Sequence, residues 1–577
     1  TMHFKTQLLN MAFYVLTALL LFGIVKYVRA ALMLQTAFFM VVGLANYYVL
    51  NFRSAPIMPW DIYSISTAAS VAGNFNYELS TSTILVIVGF LILLLIESRF
   101  HMKAPGRVAK RAALILLSIA LIYGYTGMIQ SESFVQSFGL YDKLFTPTVM
   151  NKRDGNIVAF LMEMEYLDVE KPADYSADGT GSNYEQAGKD SAGLAAAVED
   201  PESVKRPNII VIMDEAFSDL AVRGEFTTNE DYMPFIHSLQ QGAENTRTGY
   251  LNVSVLGGNT ANTEFEFLTG NTIGFLPQGS VAYQQYVQKE MPSLASYLKE
   301  LDYHTVAIHP YYASGWDRDR VYPLLGFDKF YDYTNMIVPF VKMRNNATDQ
   351  CTYDNITHDY EQQRKSTDAP YFGYTMTIQN HSSYDVPFDN FDDKRIVVEN
   401  ADAPDLGYYL SLIKYSDEMF ENLINYYKNT DEPTVIFLTG DHQPRIHDES
   451  MDSITNGEWR NWNDEEMMRR YEVPFLIWAN YDIDKKTVEK TSMNYLQTIL
   501  METIDGELTS FQKFQQDLQK EIPVLTSNGY WGADGKFYSV DDKNSPYYDL
   551  IQEYAMLQYN DMTDYKNRVE DFFELKQ

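Results

Sequence analysis

The sequence predicts two unlike parts in one chain: a polytopic α-helical membrane anchor, then an extracellular α/β domain whose central, mostly parallel sheet carries helices on both faces. Three observations predict this. Four long apolar stretches crowd into the first 130 residues, and nothing comparable follows. From Asn208 onward, short apolar strand patterns alternate with helical ones, as in α/β domains. Between the two runs a segment, 172–207, rich in Gly, Ser, Ala, Asp and Glu, with the composition of a linker. A chain of 577 residues is also too long for a single core.

The apolar stretches are 11–25, 30–50, 83–96 and 112–129. A buried helix is the ordinary reading of each alone; four in succession predict spanning helices. The link between the third and fourth holds Arg99, Lys103, Arg107, Lys110 and Arg111, which places it in the cytoplasm. The first link, with Lys26 and Arg29, falls on the same side, and everything after residue 130 lies outside the cell. This topology also puts Thr1 outside, and Thr1 is not an initiator methionine, so at least one further spanning helix is expected upstream. The 51–82 loop, with Pro56, Pro59 and Trp60, either guides lipid or packs on the helices.

Segment 131–171 is expected to form amphipathic helices at the lipid surface, through Phe134, Phe138, Leu140, Leu144, Val149, Val158, Phe160 and Leu161. The expected domains are therefore 1–130, 131–171, the linker 172–207 and the catalytic domain 208–577. Within the linker, the Leu194-Ala-Ala-Ala197 run is a candidate site for release by proteolysis.

Charge is unevenly placed. Residues 171–577 hold 33 Lys/Arg against 67 Asp/Glu, which argues against nucleic acid as a partner. The single cysteine, Cys351, excludes an internal disulfide framework and a thiolate zinc cluster. For an exported domain, this points to a bacterium whose exported proteins do without disulfides.

Strands are expected at 208–213, 305–308, 372–378, 434–438 and 474–478, with helices between them at 293–301 and 405–427, and one long amphipathic helix at 546–576 packing on the sheet. Ligands of open α/β sheets gather at the carboxyl ends of strands. The first strand runs into Asp214-Glu215, and the fourth into Gly440-Asp441-His442. These supply two carboxylates and an imidazole for a divalent ion. Gly257-Gly258-Asn259-Thr260 opens a helix-like run, with Asn259 as N-cap and Thr260 in the first turn, where free N–H groups favour anions. Glu215, Thr260, Asp441 and His442 together offer three oxygens and one nitrogen, a set for Mn²⁺, Mg²⁺ or Zn²⁺, with the oxygen excess favouring manganese. Such an ion would also activate the Thr260 hydroxyl, a poor nucleophile by itself. The second strand leads to His309, Trp316 and Arg318, a possible grip on a phosphate and an adjoining polyol. The third leads to His381, a candidate proton carrier or phosphate contact. Singly, each is an ordinary loop residue; the joint pattern carries the reading.

On these residues the chain resembles the lipoteichoic acid synthase-like phosphoglycerol transferases, a membrane-anchored branch of the alkaline phosphatase/sulfatase superfamily. The resemblance rests on Glu215, Gly258-Asn-Thr260-Ala-Asn-Thr-Glu264-Phe265, Asp441-His442, the His309/Trp316/Arg318 spacing and His381. It implies a sulfatase-like fold, one Mn²⁺ on Glu215, Thr260, Asp441 and His442, and a glycerophosphate pocket of His309, Trp316, Arg318 and His381. The implied reaction takes sn-glycerol 1-phosphate from outer-leaflet phosphatidylglycerol, with Thr260 as nucleophile and His381 assisting proton transfer. Diacylglycerol leaves, and the cargo passes to a glycolipid, polyglycerolphosphate or wall polysaccharide. Ala261-Asn262-Thr263 departs from the Ser-Asp-Ser of the best-known synthases, which leaves the acceptor open. Cys351 lies outside any sulfatase nucleophile motif, so sulfate ester hydrolysis is not expected. The rival readings are a phosphoethanolamine transferase or phosphodiesterase of the same superfamily, and a non-catalytic polymer-binding homologue.

Overall fold

The computed structural model describes residues 2–53, 56–62, 80–103, 108–141, 147–164, 169–173, 175–176, 206–277, 280–399, 401, 403–455 and 461–575. Most of the 172–207 linker with its Leu194–Ala197 run, Leu144, the Trp60 side chain and the middle of the 51–82 loop lie outside the described residues. The chain divides into two compact units, 1–169 with 277–280, and 170–276 with 281–577.

In the first unit, α1 (Phe4–Val25), α2 (Val28–Arg53), α3 (Thr81–Glu97) and α4 (Val108–Gln130) contain the four apolar stretches and extend them at their ends. Phe4–Val25, Val28–Leu50 and Val108–Gln130 are long and apolar enough to cross a membrane, and these helices form the anchor. The α3 helix has 17 residues, about 25 Å against a hydrocarbon core of about 30 Å. Several polar groups inside this unit are paired between segments, which lowers their cost in a low-dielectric setting. The Thr36 hydroxyl donates to Glu97 at 2.7 Å, and the Tyr125 hydroxyl donates to the Leu9 carbonyl at 2.8 Å. Arg111 donates to the Gly23 and Ile24 carbonyls that end α1, a cation at the negative pole of a helix.

Three short helices follow, α5 (Glu132–Phe138), α6 (Pro147–Asp154) and α7 (Asn156–Glu163). These segments pack on the anchor helices. Val135, Leu140, Met150, Val158 and Leu161 are buried with Tyr125 and Ile129 of α4, and Leu9, Phe13 and Leu16 of α1 pack onto them. Their apolar sides are thus used against the anchor helices, while Val149 stays exposed.

The second unit is built on one eight-stranded sheet: β1 (Asn208–Asp214), β2 (Thr246–Asn252), β3 (His304–Ile308), β4 (Lys329–Tyr331), β5 (Tyr371–Met376), β6 (Thr434–Gly440), β7 (Glu472–Ala479) and β8 (Lys486–Val488), in the order β8-β2-β7-β6-β1-β5-β3-β4. Neighbours are parallel except at β7, which is antiparallel to β2 and β6. That reversal turns the carboxyl end of β7 to the opposite edge, so the strand supplies nothing to the site. The β1 strand is central and buried at all seven positions, which explains its unbroken apolar text.

Both faces are covered. Ile210, Ile212, Ile436 and Leu438 share a core with Leu406, Leu410 and Ile413 of a long helix, Pro404–Tyr427. On the alternate positions, Phe267 of the helix Thr260–Thr269 stacks on Phe437 at 5.2 Å and Tyr374 at 6.2 Å. The five expected strands are present, the third ending at Met376. The strand β2 escaped the sequence reading because Thr-Arg-Thr-Gly-Tyr-Leu-Asn carries no apolar run.

The C-terminal expectation needs correction. A helix runs Tyr548–Met562 and then breaks, with the Thr563 and Asp564 N–H groups both donating to the Tyr559 carbonyl, before a short helix Glu570–Phe573. Tyr554 does not face the main sheet; its hydroxyl donates to the Gly270 carbonyl and its ring packs on Phe511.

Candidate active site

The strands β1 and β6 are paired to their last residues, Asp214 opposite Gly440, so Glu215 and Asp441 emerge side by side. Gly440 permits this closeness: a β-carbon there would lie 1.9 Å from the Phe217 carbonyl oxygen. Ligand atoms of Glu215, Asp441 and His442 all lie within 4.8 Å of one another, and all three side chains are buried. Asp441 Oδ1 accepts the N–H groups of Ala216 (2.7 Å) and His442 (2.8 Å). Among the described residues its Oδ2 has no hydrogen-bond partner, and neither has His442 Nε2, 3.2 Å away. His442 Nδ1 faces the Gln443 carbonyl at 3.0 Å; that nitrogen therefore carries the proton, and Nε2 presents a bare lone pair. Glu215 Oε1 stands 3.7 Å from it. Two buried carboxylates converging on an unpartnered imidazole nitrogen fit a divalent cation.

Burial, then the Asp441 charge, push the Glu215 pKa up to about 8. The folded, metal-free domain therefore holds a proton that an unfolded carboxyl releases, and loses stability as pH rises through this window. A cation must displace that proton. Mn²⁺ affinity is expected to climb about tenfold per pH unit below pH 8 and to level off above it. Calorimetric titration across about pH 6 to 9 reads this; a flat profile would remove Glu215 from the ligand set.

Gly257 (φ 66°), Gly258 (φ 147°) and Asn259 (φ 66°) lead into the helix Thr260–Thr269 through left-handed and glycine-only backbone. Asn259 is at the N-cap position, but its side chain makes no capping bond. Thr260 is the first helical residue, 6% exposed, and among the described residues its hydroxyl has no hydrogen-bond partner. The helix start is tied to the Asp-His loop: the Thr263 hydroxyl donates to the Asp441 carbonyl at 2.8 Å, and the Gly257 N–H to the Gln443 carbonyl at 3.1 Å. Asn262 Oδ1 accepts the Ala282 N–H at 3.0 Å. Asn262 and Thr263, which depart from Ser-Asp-Ser, thus both serve the local scaffold.

His309 follows β3 and is buried, with Nδ1 2.9 Å from the Met376 carbonyl at the end of β5. Burial and the nearby Arg318 hold its pKa well below the usual range. A neutral ring with a bare Nε2 accepts a hydroxyl hydrogen, which suits a polyol better than a phosphate. Trp316 and Asp317 both have φ 58°, a tight non-glycine turn that leads into the helix start at Arg318.

Arg318 is held by Glu264, a residue with no role assigned from its sequence context alone. Its Nε lies 3.0 Å from Glu264 Oε1, its Nη2 bonds the same oxygen, and Glu264 is fully buried. The Tyr322 hydroxyl (2.6 Å) donates to Glu264 Oε2, with that of Tyr283 at 3.4 Å. Burial weighs against the guanidinium charge, but Glu264 and Tyr322 outweigh it and keep Arg318 charged. Only the Nη1 edge, with a 3.3 Å bond to the Gly315 carbonyl, remains for a ligand. One helix thus carries both Thr260 and the holder of Arg318, four residues apart. The signal was the Glu of the Thr260-x-x-x-Glu264-Phe265 string.

His381 sits beyond β5 with its ring reachable by solvent and Nδ1 3.1 Å from the Ser382 carbonyl. The surrounding protein and Arg344 lower its pKa. Arg344, which no motif marks, clamps this loop by donating to the carbonyls of Gln379 (2.6 Å), His381 (2.6 Å) and Ser383 (2.9 Å). Thr377 joins the loop to the metal side: its hydroxyl accepts the Glu215 N–H at 3.0 Å and donates to Asp214 at 2.9 Å. Cys351 lies buried near the start of the helix Asp349–Arg364 and takes no part in these contacts.

The sulfatase family model matches residues 207–505. A Rhizobium meliloti protein named for cyclic beta-1,2-glucan modification is 26% identical over 506 residues, 85% of this chain and 74% of its own. The lipoteichoic acid synthase of Staphylococcus saprophyticus is 28% identical over 257 residues, 44% of this chain and 38% of its own. The fold matches that of the Streptococcus pyogenes phosphoglycerol transferase GacH in complex with sn-glycerol-1-phosphate, with a TM-score of 0.56 at 19% identity over 71% of this chain and all of that one. With more than half its length matched, the chain belongs to the sulfatase family of the alkaline phosphatase superfamily, with sequence similarity to the lipoteichoic acid synthases.

Proposed function

We propose that the protein transfers sn-glycerol 1-phosphate from phosphatidylglycerol to a cell-envelope acceptor by way of Thr260, releasing diacylglycerol. The carrying observation is the convergence of Glu215, Asp441 Oδ2 and His442 Nε2 beside the helix start that bears Thr260. Glu215, Asp441, His442 and Thr260 would hold the cation, Mn²⁺ by the oxygen-rich donor set. When bound, it supplies positive charge that activates the Thr260 oxygen and offsets charge on the phosphoryl group.

The chain's own groups do the rest. The Thr260 oxygen gives up its proton and forms a bond to phosphorus as the bond to the diacylglycerol oxygen breaks, and the diacylglycerol oxygen takes up a proton and leaves as an alcohol. An acceptor hydroxyl then attacks the phospho-threonine, breaking the Thr260–phosphorus bond and giving up its own proton. Neutral His381, with Nδ1–H turned to the Ser382 carbonyl and Nε2 bare, suits the receipt of that proton. The Nη1 edge of Arg318 and the N–H groups of Thr260 and Ala261 at the helix start seat the phosphoryl oxygens. Neutral His309 accepts a hydroxyl of the glyceryl group, and Trp316 walls it. The name of the GacH ligand and those of the synthase relatives support this cargo. Placement outside the cell follows from the Lys/Arg distribution of the helix links.

Purified protein offered head-group-labelled phosphatidylglycerol and phosphatidylethanolamine side by side, with Mn²⁺, is expected to release diacylglycerol from the first at least about tenfold faster. Preference for the ethanolamine lipid would replace the reading with that of a phosphoethanolamine transferase.

A further inference from the structure

A row of aromatic rings leaves the pocket and reaches the surface, and the proposed reaction does not use it. It starts at His309, 3% exposed, and continues to Tyr311, whose ring centroid is 6.1 Å away and which is 41% exposed. Tyr312 follows at 5.3 Å, Tyr333 at 5.2 Å and Phe340 at 4.8 Å, with Tyr333 39% exposed. The inner end borders the phosphate grip: a β-carbon on Gly315 would stand 3.6 Å from the Tyr311 ring and 3.7 Å from Arg318 Nη1.

The row is rigidly framed. The Tyr333 N–H donates to the Tyr311 carbonyl at 2.9 Å. Buried Asp332 accepts the Ala313 N–H at 3.1 Å and the Thr334 N–H at 2.9 Å, locking the two loops together. At the outer end the Lys342 ammonium lies 5.8 Å from the Tyr333 ring centroid.

Resting on the phosphoglycerol transferase reading, we propose that the acceptor is an uncharged glycan whose sugar rings lie along Tyr311 and Tyr333, with the receiving hydroxyl at the pocket end. Amphipathic aromatic rings present a flat apolar surface beside a hydrogen-bonding hydroxyl, which matches the apolar faces and equatorial hydroxyls of pyranoses. Preset loops lower the ordering cost of binding a chain. Charge argues against a polyglycerolphosphate chain as the occupant. Residues 171–577 carry 67 Asp/Glu against 33 Lys/Arg, a field that opposes a polyanionic chain.

The test uses the full-length protein in vesicles of labelled phosphatidylglycerol and phosphatidylcholine, with a neutral β-glucan oligosaccharide as acceptor. Glycerophosphate transferred to the oligosaccharide and diacylglycerol released without it are measured separately. In Tyr333→Ala the KM for oligosaccharide should rise at least tenfold, exceeding any fall in diacylglycerol release at least fivefold. Tyr333→Phe should keep most of the transfer, because the ring makes the contact. Saturation-transfer NMR should show glucan contact in wild type and in Tyr333→Phe, and its loss in Tyr333→Ala. An unchanged KM in Tyr333→Ala overturns the proposal, as does a parallel loss of both readouts in a folded variant, which would assign the rings to the bilayer. Polyglycerolphosphate outcompeting the glucan also overturns it. Wild-type protein that releases no diacylglycerol from phosphatidylglycerol would instead overturn the underlying transferase reading.

Discussion

Thr260→Ala is expected to abolish diacylglycerol release from phosphatidylglycerol, by at least about 10³-fold, with little change in Tm. The hydroxyl is the proposed attacking atom, and no other described group beside Glu215, Asp441 and His442 offers one from a helix N-terminus. Stability should hold because alanine favours a helix and, among the described residues, the hydroxyl has no hydrogen bond to lose. Three side-chain ligands remain in the variant, so bound metal should stay near wild-type content while turnover vanishes. Thr260→Ser restores a hydroxyl and should recover measurable release. Head-group-labelled phosphatidylglycerol, metal analysis and thermal unfolding on the same preparations give the three readouts. Near wild-type release by the alanine variant would end the assignment of Thr260 as nucleophile.

The metal-side residues were legible because each follows a strand whose apolar text is unmistakable. Asn208–Asp214 and Thr434–Gly440 are buried at every position, and the next residues along are Glu215 and Asp441-His442. Their adjacency was not legible, since it depends on β1 and β6 being neighbours, a tertiary fact reached across more than 200 residues. The pocket string also announced its residues but not their partners. Arg318 read as a free phosphate fork, whereas Glu264 takes most of that fork in the folded protein. Arg344 was invisible for the same reason: its targets are backbone carbonyls, which leave no mark in sequence. The C-terminal helix was overextended because its apolar spacing continues past Met562, while the break depends on hydrogen bonds around Tyr559 and Asn560.

Glu264→Gln tests whether the buried pair with Arg318 is a structural necessity as well as a positioning device. Arg318 is 2% exposed and Glu264 is fully buried. Removing one partner leaves a charge without compensation, at a cost of about 3–5 kcal/mol. Glutamine keeps the volume and can still accept from Tyr322, so a loss of stability would report the charge and not a cavity. Glycerophosphate transfer should fall at least about tenfold, because the guanidinium loses the support that aims its Nη1 edge. The double variant Glu264→Gln/Arg318→Met separates the two effects. With both charges gone the desolvation penalty is lifted, so most of the stability should return. Activity should stay low, because no guanidinium then faces the phosphoryl oxygens. Thermal unfolding and transfer rates across Glu264→Gln, Arg318→Met and the double variant form a cycle with strong coupling in both stability and activity, since Glu264 acts on transfer through Arg318. Full activity in the double variant would remove Arg318 from the substrate site, and an unchanged Tm in Glu264→Gln would show that solvent reaches a pair the structure places in the core.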